Sequence, residues 1–294
     1  IPDWKEKGAP LKVAATDDRF YFLTEKSAFR LPTPPQMHNK GNYIASLSIF
    51  GRWLAEQAQA LGVEIYAGFP AADVLYNDDG SVKGVVTGDM GVDKHGQKTA
   101  AYQPGMELHA KQTIFAEGCR GSLTKKLIHK FDLAKDSSPQ TYGLGIKELW
   151  EIPKEKHKEG LVVHTAGWPM DQQTYGGSWM YHWENNIVSI GFVVGLDYHR
   201  ASLDVHELLQ RMKQHPLFRR RLEGGTLLEW GAKTIPEGGF HSLPERRHGD
   251  GFVMVGDAVG FVDVPSLKGI HYAMQSGIYA ARAIFDALVA DDPS

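Results

Sequence analysis

The 294-residue sequence predicts an α/β chain, α+β overall, in which a wound, ligand-binding sheet is split by an inserted antiparallel sheet. Three observations predict it. Gly251 to Arg282, GFVMVGDAVGFVDVPSLKGIHYAMQSGIYAAR, reads as a buried strand, a glycine-rich turn ending in Asp, a loop and a long helix. Far upstream, Glu107 to Lys130 repeats strand, glycine turn and helix around Ala116-Glu117-Gly118-Cys119-Arg120-Gly121-Ser122. Between the two, residues 141 to 239 change to long period-two alternation, the mark of strands with one covered face.

Composition narrows the function classes. A hydrophobic fraction of 42% is that of a globular chain with a real core, and a formal charge of −3 offers no basic surface for nucleic acid. Cys119 is the only cysteine, which excludes an intrachain disulfide and a Cys-ligated zinc or iron-sulfur site within these residues. No apolar run is long enough to cross a bilayer, and the opening Ile1-Pro2-Asp3-Trp4, without an initiator Met, suggests a fragment or processed product.

Taken in order, the first segment is irregular. Phe20, Tyr21, Phe22, Leu23, Phe29 and Leu31 concentrate apolar surface between Arg19, Lys26 and Arg30, and Pro32, Pro34 and Pro35 stop any long helix. Such a stretch fits a membrane interface, rings in the acyl boundary and cations at the headgroups, or a strand and loop packed on a core. Asn42 to Leu61 reads as a helix with Ile44, Leu47, Phe50, Leu54, Ala58 and Leu61 inward, ended by Gly62. Val63 to Tyr66 reads as a short strand. Ala72 to Asp89 reads as a hairpin about Asn77-Asp78-Asp79-Gly80, followed by a polar loop, 91 to 105, with a possible second hairpin. At 116 to 122 the glycines at 118 and 121 permit a tight turn and close backbone approach. Cys119 beside them is either a thiol activated at a helix start or a small buried filler.

Within the alternating region, strands are expected over 140–150, 161–165, 176–183, 187–194 and 226–232, with helices at 204–214 and 217–222. Gly176 and Gly177 open one strand, either as a bulge or as a floor that lets a flat ring approach the backbone. In the last segment Phe252 to Val255 forms a strand ended by Gly256-Asp257. Asp257 either accepts hydrogen bonds from sugar-alcohol hydroxyls in the crevice or caps a helix. The helix from Ile270, with Ala273, Met274, Gly277, Ile278, Ala281, Ile284, Phe285 and Leu288 at helical spacing, aims the positive end of its dipole, with Lys268, Gly269 and Ile270, at that crevice.

Side-chain catalysts of the common kinds are missing from the pattern. The histidines form neither HExxH nor a facial triad, and no G-x-S-x-G elbow or G-x-x-x-x-G-K-[ST] loop occurs. A large aromatic-lined sheet without an acid-base pair fits a cofactor that carries electrons itself, positioned by the protein.

The strings HNKGNYI, LGVEIYAG, ELHAKQTIFAEGCRGSLTKKL, QTYGLGIKELWEI, HTAGWPMD, TYGGSWMYH, GFVVGLDY, GAKTIPEGG and LKGIHYAMQSGIYAA carry a resemblance over nearly the whole chain. It resembles the electron transfer flavoprotein-ubiquinone oxidoreductase family, built on the glutathione-reductase-type FAD fold. The resemblance implies FAD held by Gly118, Gly256, Asp257, Gly260, Lys268, Gly269 and Ile270, and a quinone head against Gly176 and Gly177. It implies a 4Fe-4S cluster whose ligands lie outside these residues. It further implies electron transfer flavoprotein, ubiquinone and a membrane surface as partners, the last met by Phe20, Tyr21, Phe22, Leu23, Phe29 and Leu31, on a bacterial cytoplasmic or mitochondrial inner membrane. The expected division is 1–41 membrane-facing segment, 42–130 flavin segment, 131–245 ubiquinone-binding domain and 246–294 flavin segment. Other readings are a same-fold prenyl reductase or hydroxylase, and a truncated cofactor-free module that binds membrane or partner.

The sequence also departs from the family pattern. The amino-terminal G-x-G-x-x-G turn and the four cluster cysteines are not in these residues. Asp263 stands where Asn is expected, Ile270 where Thr is expected, and His199-Arg200 replaces Asn-Pro.

Overall fold

The computed structural model describes residues 1–290; the last four residues of the expected 246–294 segment lie outside the described residues. In chain order, β1 (Val13–Ala14), β2 (Asp17–Leu23), β3 (Ala28–Leu31), β4 (Tyr43–Ile44) and α1 (Leu47–Ala60) come first. Next are β5 (Ala71–Tyr76), β6 (Val82–Thr87), β7 (Met90–Val92), β8 (Lys98–Gln103), β9 (Glu107–His109), β10 (Thr113–Phe115) and α2 (Ser122–Lys130). The alternating region gives β11 (Tyr142–Glu151), β12 (Leu161–Gly167), β13 (Gly176–His182), β14 (Ile187–Gly195), α3 (Val205–Gln214), α4 (Pro216–Leu222) and β15 (Thr226–Pro236). β16 (His248–Gly249), β17 (Phe252–Met254) and α5 (Ile270–Val289) end the described chain. Two compact units divide these elements, one of residues 1–65 and 141–235, the other of 66–140 and 236–294.

The first unit is organised by a seven-stranded sheet in the order β15-β11-β14-β13-β12-β2-β3. β11–β14, β14–β13, β13–β12 and β2–β3 pair antiparallel, whereas β2 runs parallel to β12, with Asp17 opposite Leu161 and Leu23 opposite Gly167. Within the alternating region β11–β14, β12–β13 and β13–β14 are antiparallel as expected, and the parallel pair brings in β2 from outside that region. Adjacent strands joined by tight turns must be antiparallel, but β2 and β12 are separated by more than a hundred residues and are free to run the same way. One face is roofed by α3 and α4. Leu161, Val163, Met180, Val188, Ile190, Phe192 and Val194 point into it and meet Leu208, Leu209, Met212, Phe218 and Leu222. α3 forms because Val205, Leu208, Leu209 and Met212 fall on one side, and Asp204 caps it by accepting from the backbone N–H of His206 and Glu207 at 2.8 and 3.2 Å.

α1 begins at Leu47, later than expected, because Tyr43 and Ile44 are taken up in pairing β4 with β1. Its inward residues are Phe50 and Trp53, joined by Leu54, whereas Leu47 and Leu61 are exposed. Val63 to Tyr66 is not a strand: the N–H of Val63 is spent on the carbonyl of Ala58 at 3.1 Å and that of Gly62 on Gln59 at 2.9 Å, closing the helix end.

The second unit carries three small sheets and its own core of Val74, Val82, Phe115, Leu123, Leu127, Leu133, Phe252, Met254 and Val259. β10 and β17 pair in parallel, Phe115 opposite Met254, as the sheet order β10-β17-β16 requires. The expected continuous strand from Glu107 to Phe115 is broken into β9 and β10, and the polar loop after Asp89 contains the β7–β8 hairpin.

Candidate functional site

The roofed face of the seven-stranded sheet is closed, so its opposite face decides what the first unit can bind. Side chains alternate along strands, and register therefore sorts them without ambiguity. Phe20 lies opposite His164, His164 opposite Trp179, Trp179 opposite Gly191 and Gly191 opposite Lys147, forming one row across four strands and onto β11. Asp18, Val162, Tyr181 and Ser189 form the next row on one side. On the other side Gly177 lies opposite Val193 and Val193 opposite Gly145. Phe22 shares this face, opposite Phe29, and Phe20 is opposite Leu31.

Three glycines thus sit on one face where the other face has Ile, Phe and Val. They are there for space. A Cβ at Gly177 would come 2.6 Å from the carbonyl oxygen of Thr165, and one at Gly191 would run into the indole of Trp179. At Gly176 φ is 149° and a Cβ would collide with the Val193 carbonyl and stand 3.0 Å from the Met170 sulfur. The indole lies flat across Gly191, its N–H donating to Ser189 Oγ at 3.3 Å. Tyr181 packs tilted beside it, ring centroids 6.2 Å apart, and shares a 2.7 Å hydrogen bond with Nε2 of His164. Burial, reinforced by the negative charge of Asp18, raises the Tyr181 phenol pKa, so it stays protonated and able to donate. Asp18 is held in turn by Asn39, whose backbone N–H and side-chain amide donate at 2.9 and 2.6 Å.

The six expected membrane-facing residues do not share one environment. Phe22, Phe29 and Leu31 are exposed, and Phe20 and Tyr21 are half-buried. Leu23 is only 1% exposed and belongs to the core under α3 and α4, a correction that follows from alternation: Tyr21 and Leu23 point to the roofed face, Phe20 and Phe22 away from it.

In the second unit the expected cofactor residues gather at the carboxyl ends of the parallel strands. The N–H of Val255 donates to Phe115 at 3.0 Å, so the turns after β10 and β17 start side by side. After β10, Gly118 has φ 79°, and the Glu117 carboxylate accepts from the N–H of Leu123 and Thr124 at 3.2 and 2.6 Å, fixing the start of α2. Sequence reasoning missed this capping role of Glu117. Cys119 is half-buried. After β17, Gly256 to Ala258 forms a 3-10 turn that needs φ 64° at Gly256, and the Gly256 N–H donates to Ser276 Oγ on α5 at 3.0 Å. A Cβ on Gly269 would stand 3.5 Å from Oδ1 of Asp257, so the Asp257 carboxylate lies beside the start of α5. Asp263 and Lys268 pair their backbones across the intervening loop, the N–H of each donating to the other's carbonyl at 2.8 and 3.1 Å, and Gly260 lies just before it with φ 89°. α5 starts at Ile270 with no capping side chain and no acidic residue in its first turn. Much of the expected apolar stripe of α5 is exposed, including Met274, Ile278 and Phe285; among its described residues only Ala280 is buried.

A sequence model of the family described as "ETF-QO, ubiquinone-binding" matches residues 142–235, the stretch from β11 to β15. The mitochondrial electron transfer flavoprotein-ubiquinone oxidoreductase of Dictyostelium discoideum is 55% identical over 98% of this chain and 48% of its own length. Over nearly its whole length the chain is similar to members of the electron transfer flavoprotein-ubiquinone oxidoreductase family. The Homo sapiens relative is 50% identical over 99% of the chain, again across 48% of its own length, so the chain spans about half the length of the curated relatives it matches. Solved structures extend the likeness of fold. A geranylgeranyl bacteriochlorophyll reductase-like protein from Thermoplasma acidophilum superposes with a TM-score of 0.71 at 18% identity, covering 96% of this chain and 64% of that one. A flavin-dependent brominase superposes at 0.65 with 18% identity, over 99% and 66% of the two chains. At that identity the likeness is one of fold, α/β with a large mixed sheet.

Proposed function

We propose that this chain supplies the quinone site and part of the flavin site of an enzyme that passes electrons from reduced electron transfer flavoprotein to membrane ubiquinone. The observation that carries the reading is the sheet face opposite α3 and α4, with its glycines at 145, 177 and 191. Gly176 and Gly177 begin β13 within the matched ubiquinone-binding stretch; Gly177 lies on this face, Gly176 opposite Val194 on the other, and the face of Gly177 continues outward to the exposed rings of Phe22 and Phe29. A flat, lipid-tailed substrate needs this combination: a floor without side chains for the ring and an apolar margin that meets the bilayer for the tail. No helix among the described residues is long and apolar enough to cross a membrane, and the relatives are mitochondrial by name. Attachment to one leaflet of the mitochondrial inner membrane or of a bacterial cytoplasmic membrane, through Phe22, Phe29 and Leu31, is the location the proposal adopts.

The turn residues fit FAD. Gly256 and Gly269 are places where a side chain would crowd Ala273 and Asp257, Asp257 offers acceptor oxygens to ribityl hydroxyls, and the uncapped start of α5 presents backbone N–H groups free of acidic neighbours in its first turn. Gly118, Gly256, Asp257, Gly260, Lys268, Gly269 and Ile270 would hold the cofactor. When bound, the flavin accepts and releases the electrons; the residues named bind it, orient it and set its electrostatics. The described residues do not fit a 4Fe-4S cluster: they offer one cysteine and no group of three or more His, Cys, Asp or Glu able to hold a metal. Such a cluster would take its ligands from outside these residues.

The experiment is steady-state reduction of a short-tailed ubiquinone analogue by the complete, flavin-loaded protein. Turnover with reduced electron transfer flavoprotein, and none with reduced nicotinamide, is expected. The opposite pattern would assign the chain to a same-fold reductase or hydroxylase, and a purified complete protein without flavin absorbance would leave only the cofactor-free binding module.

A further inference from the structure

Reduction of a quinone to its quinol consumes two protons as well as two electrons. On this face the titratable side chains set by the register include Asp18 on β2, His164 on β12, Tyr181 on β13, and Lys147 and Glu151 on β11, Glu151 opposite Ile187 two residues beyond Ser189. Lys147 is exposed toward the far end of its row, and Asp18 is committed to Asn39 in the row beyond. His164 differs. It lies opposite Trp179, two residues along β13 from Gly177, it is 8% exposed, and its Nε2 is engaged by the Tyr181 hydroxyl at 2.7 Å. A ring centred over Gly177 therefore has the imidazole as its nearest titratable side chain on this face, one cross-strand diagonal away, a separation of about 7–8 Å between sheet positions that a side chain and a ring span together.

We propose that His164, positioned by Tyr181, protonates the quinone oxygen as the quinone is reduced. The proposal rests on the quinone reading of Gly176 and Gly177. The balance is simple. Two electrons enter from the reduced flavoprotein chain; one N–H bond of His164 breaks as an O–H bond forms on the quinone oxygen beside it, and the oxygen at the far end of the ring takes its proton from solvent. The imidazole regains its proton through the Tyr181 hydroxyl, which draws on solvent, so net uptake is two solvent protons per quinol. Tyr181 is a positioning and relay residue, suited to it because its phenol remains protonated. A histidine with a fixed hydrogen-bond partner is the common arrangement for proton transfer near neutral pH.

The test uses the complete enzyme, a short-tailed ubiquinone analogue, and ferricyanide, an acceptor that takes electrons without protons. His164→Gln keeps hydrogen-bonding capacity but does not titrate. Its quinone kcat is expected to fall about 10²-fold with KM unchanged, its ferricyanide rate to stay at the wild-type level, and the pH dependence of quinone turnover to flatten. Tyr181→Phe is expected to lower quinone kcat roughly tenfold and displace the pH profile, and it decides the matter if the Gln variant does not fold. Equilibrium binding of the analogue, followed by quenching of intrinsic tryptophan fluorescence, should be unchanged in both. A fall below roughly threefold in both variants, or one matched by the ferricyanide rate, overturns the proposal. Gly177→Val separates the two levels of argument: if it binds and reduces the analogue normally, the quinone reading itself fails and the role of His164 with it.

Discussion

The two faces of the seven-stranded sheet are made by the same strands and share every hydrogen bond of the ladder, yet they are built for different ends. The roofed face is filled with Val163, Met180, Ile190 and Phe192 against Leu209, Met212 and Phe218, all nearly inaccessible. The opposite face gives up that volume at Gly145, Gly177 and Gly191 and sets Trp179, Tyr181 and His164 beside the gaps. One face is a packed core, and the other is the one the proposed function assigns to the quinone ring. The sheet does both because period-two alternation lets one strand carry two unrelated specifications.

The comparison breaks first where a substitution on the roofed side acts like one on the open side. Phe218→Ala, at a fully buried ring, should cost about 3–5 kcal/mol and lower the thermal midpoint of the complete protein sharply. A loss of quinone turnover at unchanged midpoint would mean the faces are not separable. Next in size is the buried pair under the roof. Glu148 is 3% exposed and accepts from Lys213 Nζ at 2.8 and 2.9 Å and from the Trp150 indole at 2.7 Å. Lys213→Met should cost about 3–5 kcal/mol by stranding that carboxylate, and adding Glu148→Gln should recover much of it; equal midpoints for single and double variants would contradict this.

A smaller effect sharpens the comparison through pH. His182 is on the roofed face, inaccessible, its ring 5.1 Å from that of His157 and its Nδ1 accepting from the N–H of Lys158. Burial first, then His157, Arg221, Arg19 and Lys158, push its pKa down from 6.5 to about 3. The folded protein therefore keeps it neutral while the unfolded chain binds a proton below about 6.5. Stability is full above that pH and declines as pH falls from 6.5 toward 3. Asp17, which Arg19 and Lys158 hold well below the carboxylate range at 2.6 and 2.5 Å, adds its own loss only below its ordinary value of 3.8. Thermal midpoints measured between pH 7 and 4.5 should fall in the wild type and fall less in His182→Gln; parallel curves would remove His182 from the account.

What was legible in the sequence follows from the same contrast. α3, α4 and the start of β13 were readable because their apolar and small residues repeat at the period of the element they form. The turn at Gly256-Asp257 was readable because a glycine needing positive φ ends a buried strand there. Val63 to Tyr66 misled because an apolar pattern cannot reveal that its N–H groups already close the preceding helix. Leu23 misleads because composition groups the cluster of rings as one surface, whereas alternation divides it between two. His164 was missed for a subtler reason: Leu161 to Thr165 is buried on both faces, so periodicity offers no contrast. Only its register against Phe20 and Trp179 shows which face it occupies.

The central claim is that the open face receives the quinone ring. A ubiquinone analogue carrying a photoreactive group on its ring, cross-linked in the complete protein and mapped by peptide mass, tests it most directly. The account predicts label on the peptides of β12 and β13, within 161–182, abolished by excess unmodified quinone. Competable label confined to peptides of α3 and α4, on the roofed side, would contradict it.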